Sequence, residues 1–288
     1  MQARPDCLPC SLKQVENILR RVKVDKETAF RLRRLAEERL AALGLRLSPA
    51  ELATELFHLA TRELNHPDPF AEEKAAYNRE AVGLYPRLRE ILDDSPDRLQ
   101  TALLLAVAGN LLDLAIMADP LAVEEVVRKV LAAGLARDEG EAFRQDLARA
   151  ETLLYLVDNA GEIAFDRLLV EEIRRLRPEI RVKVAVKSGP ASGDATRADA
   201  EAVGLAEVAE IVETGGASLG VPRSYTSPSF WETFSQADLV LVKGHANFET
   251  TDEEDHPALY FLLTAKCAVV AEALGVKVGE AVLARRKK

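Results

Sequence analysis

The chain has 288 residues, of which 48% are hydrophobic, and carries a formal net charge of −9. This length accommodates one large or two ordinary domains, and the apolar content excludes a disordered chain. The acidic balance, with basic residues clustered only in the last four positions, argues against nucleic acid as a partner. No apolar leader opens the sequence and the longest apolar stretch is interrupted, so neither a signal peptide nor a membrane span is expected. Three cysteines do not make a disulfide framework, which predicts a reducing, cytoplasmic setting.

The first half of the chain has the pattern of helices, because apolar residues recur at helical spacing among Arg, Glu and Ala. Ser48-Pro49 with Glu51 is typical of a capped helix start, and Asn65-His66-Pro67 ends that helix. No convincing strand is visible before Thr152. The predicted helices are Val24–Leu43, Pro49–Leu64, Glu72–Leu92, Asp97–Met117, Ala122–Ala133 and Asp138–Arg149.

The second half alternates short β-branched or apolar runs with helical stretches, which predicts a parallel sheet with helices on its faces. The predicted strands are Thr152–Val157, Arg181–Val186, Val208–Glu213, Leu239–Val242 and Ala268–Ala271. The predicted helices between them are Glu162–Arg177, Ala195–Leu205, Ser229–Gln236 and Pro257–Thr264. We therefore expect a helical domain over residues 1–150 and an α/β domain over residues 151–288. Such sheets bind ligands beyond the carboxyl ends of their strands.

Polar residues and glycines follow four successive predicted strands. Asp158, Asn159 and Asp194 offer carboxylate and amide oxygens, the hard ligands that suit Mg²⁺ or Mn²⁺. Lys187 and Lys243 supply positive charge for a phosphoryl group. The sequence therefore predicts a metal and phosphate site at the strand ends.

Further residues after the same strands are candidates for this site. Glycines would let backbone N–H groups approach an anion, and the helix that begins near Glu162 adds a positive dipole end. The glycines are Gly161, Gly215 and Gly216, and the segment after the fourth strand adds Asn247 and Glu249.

Each of these residues alone has an ordinary structural explanation. Asp158-Asn159 could be a helix cap or an Asx turn, Asp194 an N-cap, and a lysine–glycine pair a solvated turn. Recurrence at four strand ends is what favours an active site.

Other known kinds of phosphate site lack their sequence signatures here. No P-loop is present, Ala160 stands where a phosphoaspartate enzyme has its second aspartate, and no dinucleotide-binding glycine motif follows a strand.

Two features of the helical half could contribute to the site. Asn110 and Asp113 interrupt the most apolar predicted helix on a shared face, either as a satisfied core hydrogen bond or as the roof of the crevice. Cys7 and Cys10 form a CxxC pair, and Cys267 is the third cysteine. Packing thiols, part of a zinc site and a redox pair all stay open for them.

Seven short motifs in one order carry a resemblance that covers nearly the whole chain. They are Asp6-Cys7-Leu8-Pro9-Cys10 with Leu12 and Gln14, Asp68-Pro69-Phe70 with Lys74, Tyr77 and Asn78, Gly109-Asn110 with Asp113, Asp158-Asn159-Ala160-Gly161-Glu162, Asp194-Ala195-Thr196 with Asp199, Gly215-Gly216-Ala217, and Lys243-Gly244 with Asn247-Phe248-Glu249. With these motifs the sequence resembles the DUF89 family of metal-dependent damage-control phosphatases, in particular its stand-alone prokaryotic branch.

The resemblance implies a helical domain joined to a Rossmann-like α/β domain, with a divalent cation on Asp158, Asn159 and Asp194. With Mn²⁺, Co²⁺, Ni²⁺ or Mg²⁺ the protein would hydrolyse phosphate monoesters of small metabolites, such as sugar phosphates and damaged or side-product phosphometabolites. Lys187 and Lys243 would contact the phosphate. The general base is not identified, with Asp158 itself and Glu162 as candidates.

One departure from the family and two other functions stay open. The family often has Asn where this chain has Gly193, so substrate choice or metal affinity could differ here. A carboxyl methyltransferase would bind S-adenosylmethionine without added metal, although no glycine-rich loop follows the first predicted strand. A non-catalytic phosphometabolite-binding protein would keep both lysines and release no phosphate with any metal. The sequence predicts no oligomeric state.

Overall fold

The structure, a computed structural model, describes residues 1–111 and 120–286. Helices dominate the first part of the chain, as its periodicity predicts, and α1 is one that the pattern did not predict. These helices are α1 (Cys7–Val22), α2 (Lys26–Leu43), α3 (Pro49–Glu63), α4 (Ala71–Asp93), α5 (Arg98–Gly109), α6 (Pro120–Ala133) and α7 (Gly140–Arg149). The later helices are α8 (Glu162–Leu176), α9 (Arg197–Ala202), α10 (Pro228–Gln236), α11 (His245–Thr251) and α12 (Ala268–Leu274).

A single mixed sheet forms the centre of the described chain. Its strands are β1 (Arg137–Asp138), β2 (Thr152–Leu156), β3 (Arg181–Val186), β4 (Glu210–Glu213), β5 (Leu239–Lys243), β6 (Leu259–Thr264) and β7 (Ala281–Arg285). Their order is β1-β7-β6-β5-β2-β3-β4, and every pair is parallel except β6 with β7. From β2 the chain moves outward through β3 and β4 and then returns to β5 on the other side of β2. The carboxyl ends of β2 and β5 therefore flank the topological switch point, the usual ligand site of such sheets.

Strand β2 is buried on both faces, which explains its continuous apolar sequence. Leu153 and Tyr155 pack into the core that α5 and α8 cover, whereas Leu154 and Leu156 pack on the opposite side beneath α10 and α12. Burying a side chain of this size stabilises a fold by about 1.5–3 kcal/mol. The strand is consequently held rigidly up to the point where its polar residues begin.

The last predicted helix and strand are wrong, because their assignments are exchanged. Residues 257–264 were predicted as a helix, but Leu259–Thr264 is the buried strand β6. Residues 268–271 were predicted as a strand, but they begin α12. A short apolar run fits a doubly buried strand and a buried helix equally well, so periodicity does not separate the two. The expectation of no strand before Thr152 is also wrong, since the two-residue strand β1 pairs with β7.

The first three helices have a core of their own. Ile18, Leu32 and Phe57 belong to a cluster that also includes Val269 of α12, with the partly buried Cys267 packed against it. Polar bonds tie these helices to the strand ends: the Leu219 N–H donates to Thr54 Oγ1 over 3.0 Å. The helices α1 and α3 therefore stand over the carboxyl edge of the sheet.

The predicted α/β class, with a largely helical first part, is confirmed. The boundary at residue 150 stays a prediction, because α4 to α7 contribute side chains to the same core cluster as the sheet. Within the described ranges, no helix combines the length and the apolar character that crossing a bilayer requires.

Candidate metal and phosphate site

Asp158 lies just beyond β2, against the peptide that follows β5. Gly244 has φ +87°, and a Cβ at this position would lie 2.1 Å from Asp158 Oδ2. The Asp158 carboxylate accepts from Asn110 Nδ2 at 3.2 Å and from Asn159 Nδ2 at 3.0 Å. A glycine is thus required where two strand ends converge, and it lets the carboxylate occupy the switch point.

The Asn159 side chain is oriented by two carboxylates. Its Nδ2 donates to Asp158 Oδ2 and, over 2.8 Å, to Glu162 Oε1. Glu162 is the first residue of α8 and also accepts from Asn110 Nδ2 at 2.6 Å. Because the amide nitrogen meets two acceptors, the amide oxygen is the atom left to bind a ligand.

Asp194 is brought beside this pair by the loop after β3. Asn159 and Asp194 form an isolated antiparallel bridge, and the Ala195 N–H donates to the Asp158 carbonyl over 2.8 Å. Gly193 fits closely here, since a Cβ at this position would lie 3.1 Å from Asn159 Oδ1. The structure therefore brings together all three residues that the sequence predicts as metal ligands.

Both predicted phosphate lysines are buried in ion pairs. Lys187 Nζ lies 3.4 Å from Asp194 Oδ2 and donates to Asn247 Oδ1 at 3.0 Å. Lys243 Nζ lies 2.8 Å from Asp166 Oδ1 and 3.1 Å from Glu162 Oε2. Each lysine is thus paired with buried carboxylates of the cluster. The role of both lysines as phosphate contacts stays a prediction.

The charge balance of this cluster fits a divalent cation. Four buried carboxylates, those of Asp158, Glu162, Asp166 and Asp194, accompany two buried ammonium groups, those of Lys187 and Lys243. With all six ionised, the buried cluster carries a net charge of −2, which is costly in a low-dielectric interior. A divalent cation would offset that charge.

The pKa values of the carboxyl groups show the same imbalance. Burial raises the pKa of Asp158 well above its ordinary value, and the neighbouring Glu162 and Asp194 carboxylates raise it further. Burial also raises the pKa of Asp194 to about 6, against the opposing charge of Lys187. Among the described residues, no group of three or more His, Cys, Asp and Glu side chains converges as a metal site. The donor set here is accordingly two carboxylates and one amide oxygen, which suits a hard cation.

A cavity of about 420 Å³ opens directly over the three predicted metal ligands. Its floor is Asp158, Asn159 and Asp194, and its roof comes from α1 and α3. Lys266, which follows β6, also lines it, and its Nζ donates to the Asn110 carbonyl over 3.0 Å. Lys266 is an exposed cation at the same cavity as the predicted metal ligands, and sequence reasoning missed it because β6 was predicted as a helix.

The cysteines lie at the same cavity rather than in a separate site. Cys7, Cys10 and Cys267 all line it and are free thiols. Burial raises the pKa of both Cys7 and Cys10, which disfavours reactive thiolates. The packing interpretation therefore fits Cys7, which is buried in the core of the first helices, whereas Cys10 is exposed at the cavity.

The three predicted glycines lie in tightly packed loops, and their role as anion contacts stays a prediction. The Gly161 N–H donates to Asn78 Oδ1 over 2.8 Å, and the Gly215 N–H donates to Ser188 Oγ over 2.7 Å. A Cβ at Gly216 would lie 1.7 Å from the Tyr225 carbonyl oxygen, so this glycine allows a close loop approach.

The remaining predicted residues are placed as follows. Asn247 Nδ2 donates to the Val157 and Lys243 carbonyls and so joins β2 to β5. Glu249 lines the cavity wall beside α3. Asp113 lies outside the described residues.

A Glu249→Gln substitution is expected to stabilise the protein in a pH-dependent way. Burial raises the pKa of Glu249 to about 7, whereas an unfolded glutamate titrates near ~4.3. Between these values the folded state binds more protons, so the stability contributed by the protonated group is lost as the pH rises through 7. Because glutamine cannot ionise, we expect the variant to be more stable than the wild type by about 1–3 kcal/mol at pH 8. Urea unfolding at several pH values measures this difference, which should shrink towards zero near pH 4.

The exposed Glu253→Gln is the matched control, since its side chain is 82% exposed. It should shift stability little at either pH. A Glu249→Gln effect of the same size at pH 4 and pH 8 would show that ionisation is not its cause.

Comparison with known proteins assigns the chain to a family. The model of the damage-control phosphatase ARMT1-like domain matches residues 3–282. The chain belongs to this family. The match spans the helical half as well as the sheet, so the helices over the cavity are part of the family's fold.

Relatives within the damage-control phosphatase family match over their whole length. A damage-control phosphatase of Pyrococcus horikoshii is 33% identical over 292 residues, which cover 100% of this chain and 99% of the relative. A damage-control phosphatase of Archaeoglobus fulgidus is 31% identical over 290 residues, 98% of each chain. The crystal structure of a DUF89 family protein from P. horikoshii superposes with a TM-score of 0.93 at 33% identity and covers 100% of both chains. The resemblance that the motifs carry is therefore confirmed.

Proposed function

We propose that this damage-control phosphatase family member is a divalent-metal-dependent phosphatase that acts on phosphate monoesters of small metabolites. The observation that carries the proposal is the convergence of Asp158, Asn159 and Asp194 at the switch point, beneath a cavity that Lys266 also lines. The cavity volume of about 420 Å³ fits a small phosphorylated metabolite rather than a macromolecule. The relatives that are named damage-control phosphatases support damaged or side-product phosphometabolites as the substrate class.

The cation would be held by Asp158, Asn159 Oδ1 and Asp194. Mn²⁺, Co²⁺, Ni²⁺ and Mg²⁺ all accept such oxygen ligands and leave positions for substrate. When bound, the cation would act as a Lewis acid that polarises the phosphoryl oxygens of the substrate. The free thiols of Cys7, Cys10 and Cys267 agree with a cytoplasmic location.

The chain's own groups would do the remaining work of binding and orientation. Lys266 presents a positive charge to the cavity and would bind a phosphoryl oxygen, since its anchor on the Asn110 carbonyl leaves two ammonium hydrogens available. The roof formed by α1 and α3 would enclose the leaving group and exclude water. Asp158 and Glu162 stay the candidates for the general base.

A Lys266→Met substitution is expected to weaken phosphate binding without harming the fold. Lys266 is exposed, so its removal leaves no buried charge unpaired. We expect the inhibition constant of inorganic phosphate and the KM for substrate to rise by about 10-fold or more, which corresponds to losing one charge-assisted hydrogen bond. Steady-state kinetics measure both values. Lys277→Met removes another exposed lysine outside the cavity and should change neither.

A phosphate-release assay tests the proposed function. Chelator-treated protein would be offered a panel of phosphate monoesters with each of the four cations in turn. We expect release from at least one small ester with metal and none with EDTA. Binding of S-adenosylmethionine in a calorimeter, with no phosphate released from any ester, would overturn the proposal in favour of a methyltransferase. Phosphometabolite binding without release would indicate a binding protein.

A further inference from the structure

A chain of buried polar groups runs beneath the predicted ligands. Tyr155 Oη donates to Asp166 Oδ1 over 2.6 Å, and the same carboxylate oxygen lies 2.8 Å from Lys243 Nζ. Lys243 in turn lies 3.1 Å from Glu162 Oε2. These groups come from β2, from two positions of α8 that are one turn apart, and from the end of β5. The chain therefore begins in the core and ends at the site.

Burying the charges of Lys243 and Asp166 costs free energy, which indicates a functional role for them. Lys243 is 1% exposed and Asp166 is fully buried. Within the described part of the chain, Asp166 Oδ2 and Glu162 Oε2 have no partner that meets hydrogen-bond geometry. Apolar residues of similar volume commonly stabilise a fold as well as a buried ion pair does. Stability alone therefore does not explain why Asp166, Lys243 and Glu162 are charged residues.

Glu162 connects Lys243 to the side chain of Asn159. One of its carboxylate oxygens faces Lys243, and the other accepts from Asn159 Nδ2 and Asn110 Nδ2. A carboxylate held in this way can only accept, so the Asn159 side chain must present its nitrogen to Glu162. The amide oxygen is then directed away from Glu162, to the side where Gly193, the neighbour of Asp194, approaches it.

We propose that Lys243 and Asp166 are positioning residues that hold Glu162 as an oriented acceptor and thereby fix the Asn159 amide oxygen towards the bound cation. This inference rests on the proposed metal site and refines it. Lys243 then acts on metal affinity and does not contact the phosphate. Outer groups of this kind typically change metal affinity by about 10–100-fold when they are removed.

The two roles of Lys243 predict opposite measurements on Lys243→Met. As a positioning residue, its loss weakens Mn²⁺ binding by about 10–100-fold in calorimetry on the metal-free protein without substrate. The inhibition constant of phosphate at saturating Mn²⁺ then stays within about twofold of the wild-type value, and a higher Mn²⁺ concentration restores the rate. As a phosphate contact, its loss would leave Mn²⁺ binding unchanged and raise the phosphate constant. That result, or an effect on neither constant, would overturn the inference.

A double variant keeps the test valid if Lys243→Met does not fold. Lys243→Met combined with Glu162→Gln removes one positive and one negative charge, so the net charge of the buried polar groups does not change. Because both residues act through Asn159, we expect the double variant to bind Mn²⁺ within about twofold of Glu162→Gln alone. If the losses of Mn²⁺ binding free energy in the two single variants add up in the double variant, the two residues do not both act through Asn159, which would contradict the inference.

Two controls separate this inference from the proposed function. Lys277→Met should bind Mn²⁺ like the wild type, since this lysine is exposed and outside the cavity. If the wild type binds no Mn²⁺, or if Asp158→Asn binds it as tightly as the wild type, the metal site itself is wrong. If Asp158→Asn abolishes binding while Lys243→Met does not weaken it, only the positioning role is wrong.

Discussion

An Asp158→Asn variant should lose metal-dependent phosphate release by about 10²–10³-fold or more, because it removes a ligand charge where the transferring phosphoryl group develops charge. Asparagine keeps the shape of the side chain, and its oxygen can still accept from Asn110 and Asn159. We therefore expect the variant to keep the fold. Phosphate release at saturating metal measures the effect, and activity equal to the wild type in a folded variant would contradict the assignment.

The same substitution should stabilise the metal-free protein. Burial and the neighbouring carboxylates raise the pKa of Asp158, which means that the fold disfavours its charged form. Removing that charge is expected to raise the free energy of unfolding in EDTA by about 1–2 kcal/mol, a trade of stability against activity. Asp255→Asn is the matched control, since Asp255 is 95% exposed and should affect neither quantity.

A Gly244→Ala variant should lose both stability and activity. The residue has φ +87° and ψ 165°, a region that only glycine occupies readily, and the new Cβ would meet the Asp158 carboxylate. We expect destabilisation of about 3 kcal/mol or more from the strain and the clash together. Asp158 would also be displaced, so phosphate release should fall even at temperatures where the variant is folded. Urea unfolding and kinetics on the same preparation measure the two effects.

Gly279→Ala separates strain from clash. Gly279 has φ +92°, but a Cβ there would meet nothing within 4 Å. Its alanine variant should lose about 1–2 kcal/mol from backbone strain alone and keep its activity. Equal losses in the two variants would show that contact with Asp158 contributes nothing.

The strands at the centre of the sheet could be predicted because they are buried on both faces. Their sequences are continuous apolar runs, and each ends at polar residues and glycine, so Asp158, Asn159 and Asp194 could be placed at strand ends before their contacts were known. Residues that follow different strands lie close together in the structure, because parallel strands place their carboxyl ends at one edge of the sheet. The proposed set of metal ligands rests on this reasoning together with the family resemblance.

The parts that were missed depend on tertiary contacts. Lys266 follows β6, which was predicted as a helix, so a lysine at a strand end was not recognised as one. Asp166 lies one helical turn after Glu162, and only their shared position on a buried face of α8 could have signalled a second acidic residue. The ion pairs of Lys187 and Lys243 depend on partners up to 81 residues away in the chain and leave no local pattern.

The most direct test of a cation at the switch point is anomalous diffraction from a crystal soaked in Mn²⁺ and inorganic phosphate. We predict one strong manganese peak bonded to oxygen atoms of Asp158, Asn159 and Asp194, with the phosphate between that peak and Lys266. A peak at the Cys7, Cys10 and Cys267 thiols instead, or no peak beside Asp158 under conditions in which Mn²⁺ supports phosphate release, would contradict the proposed site.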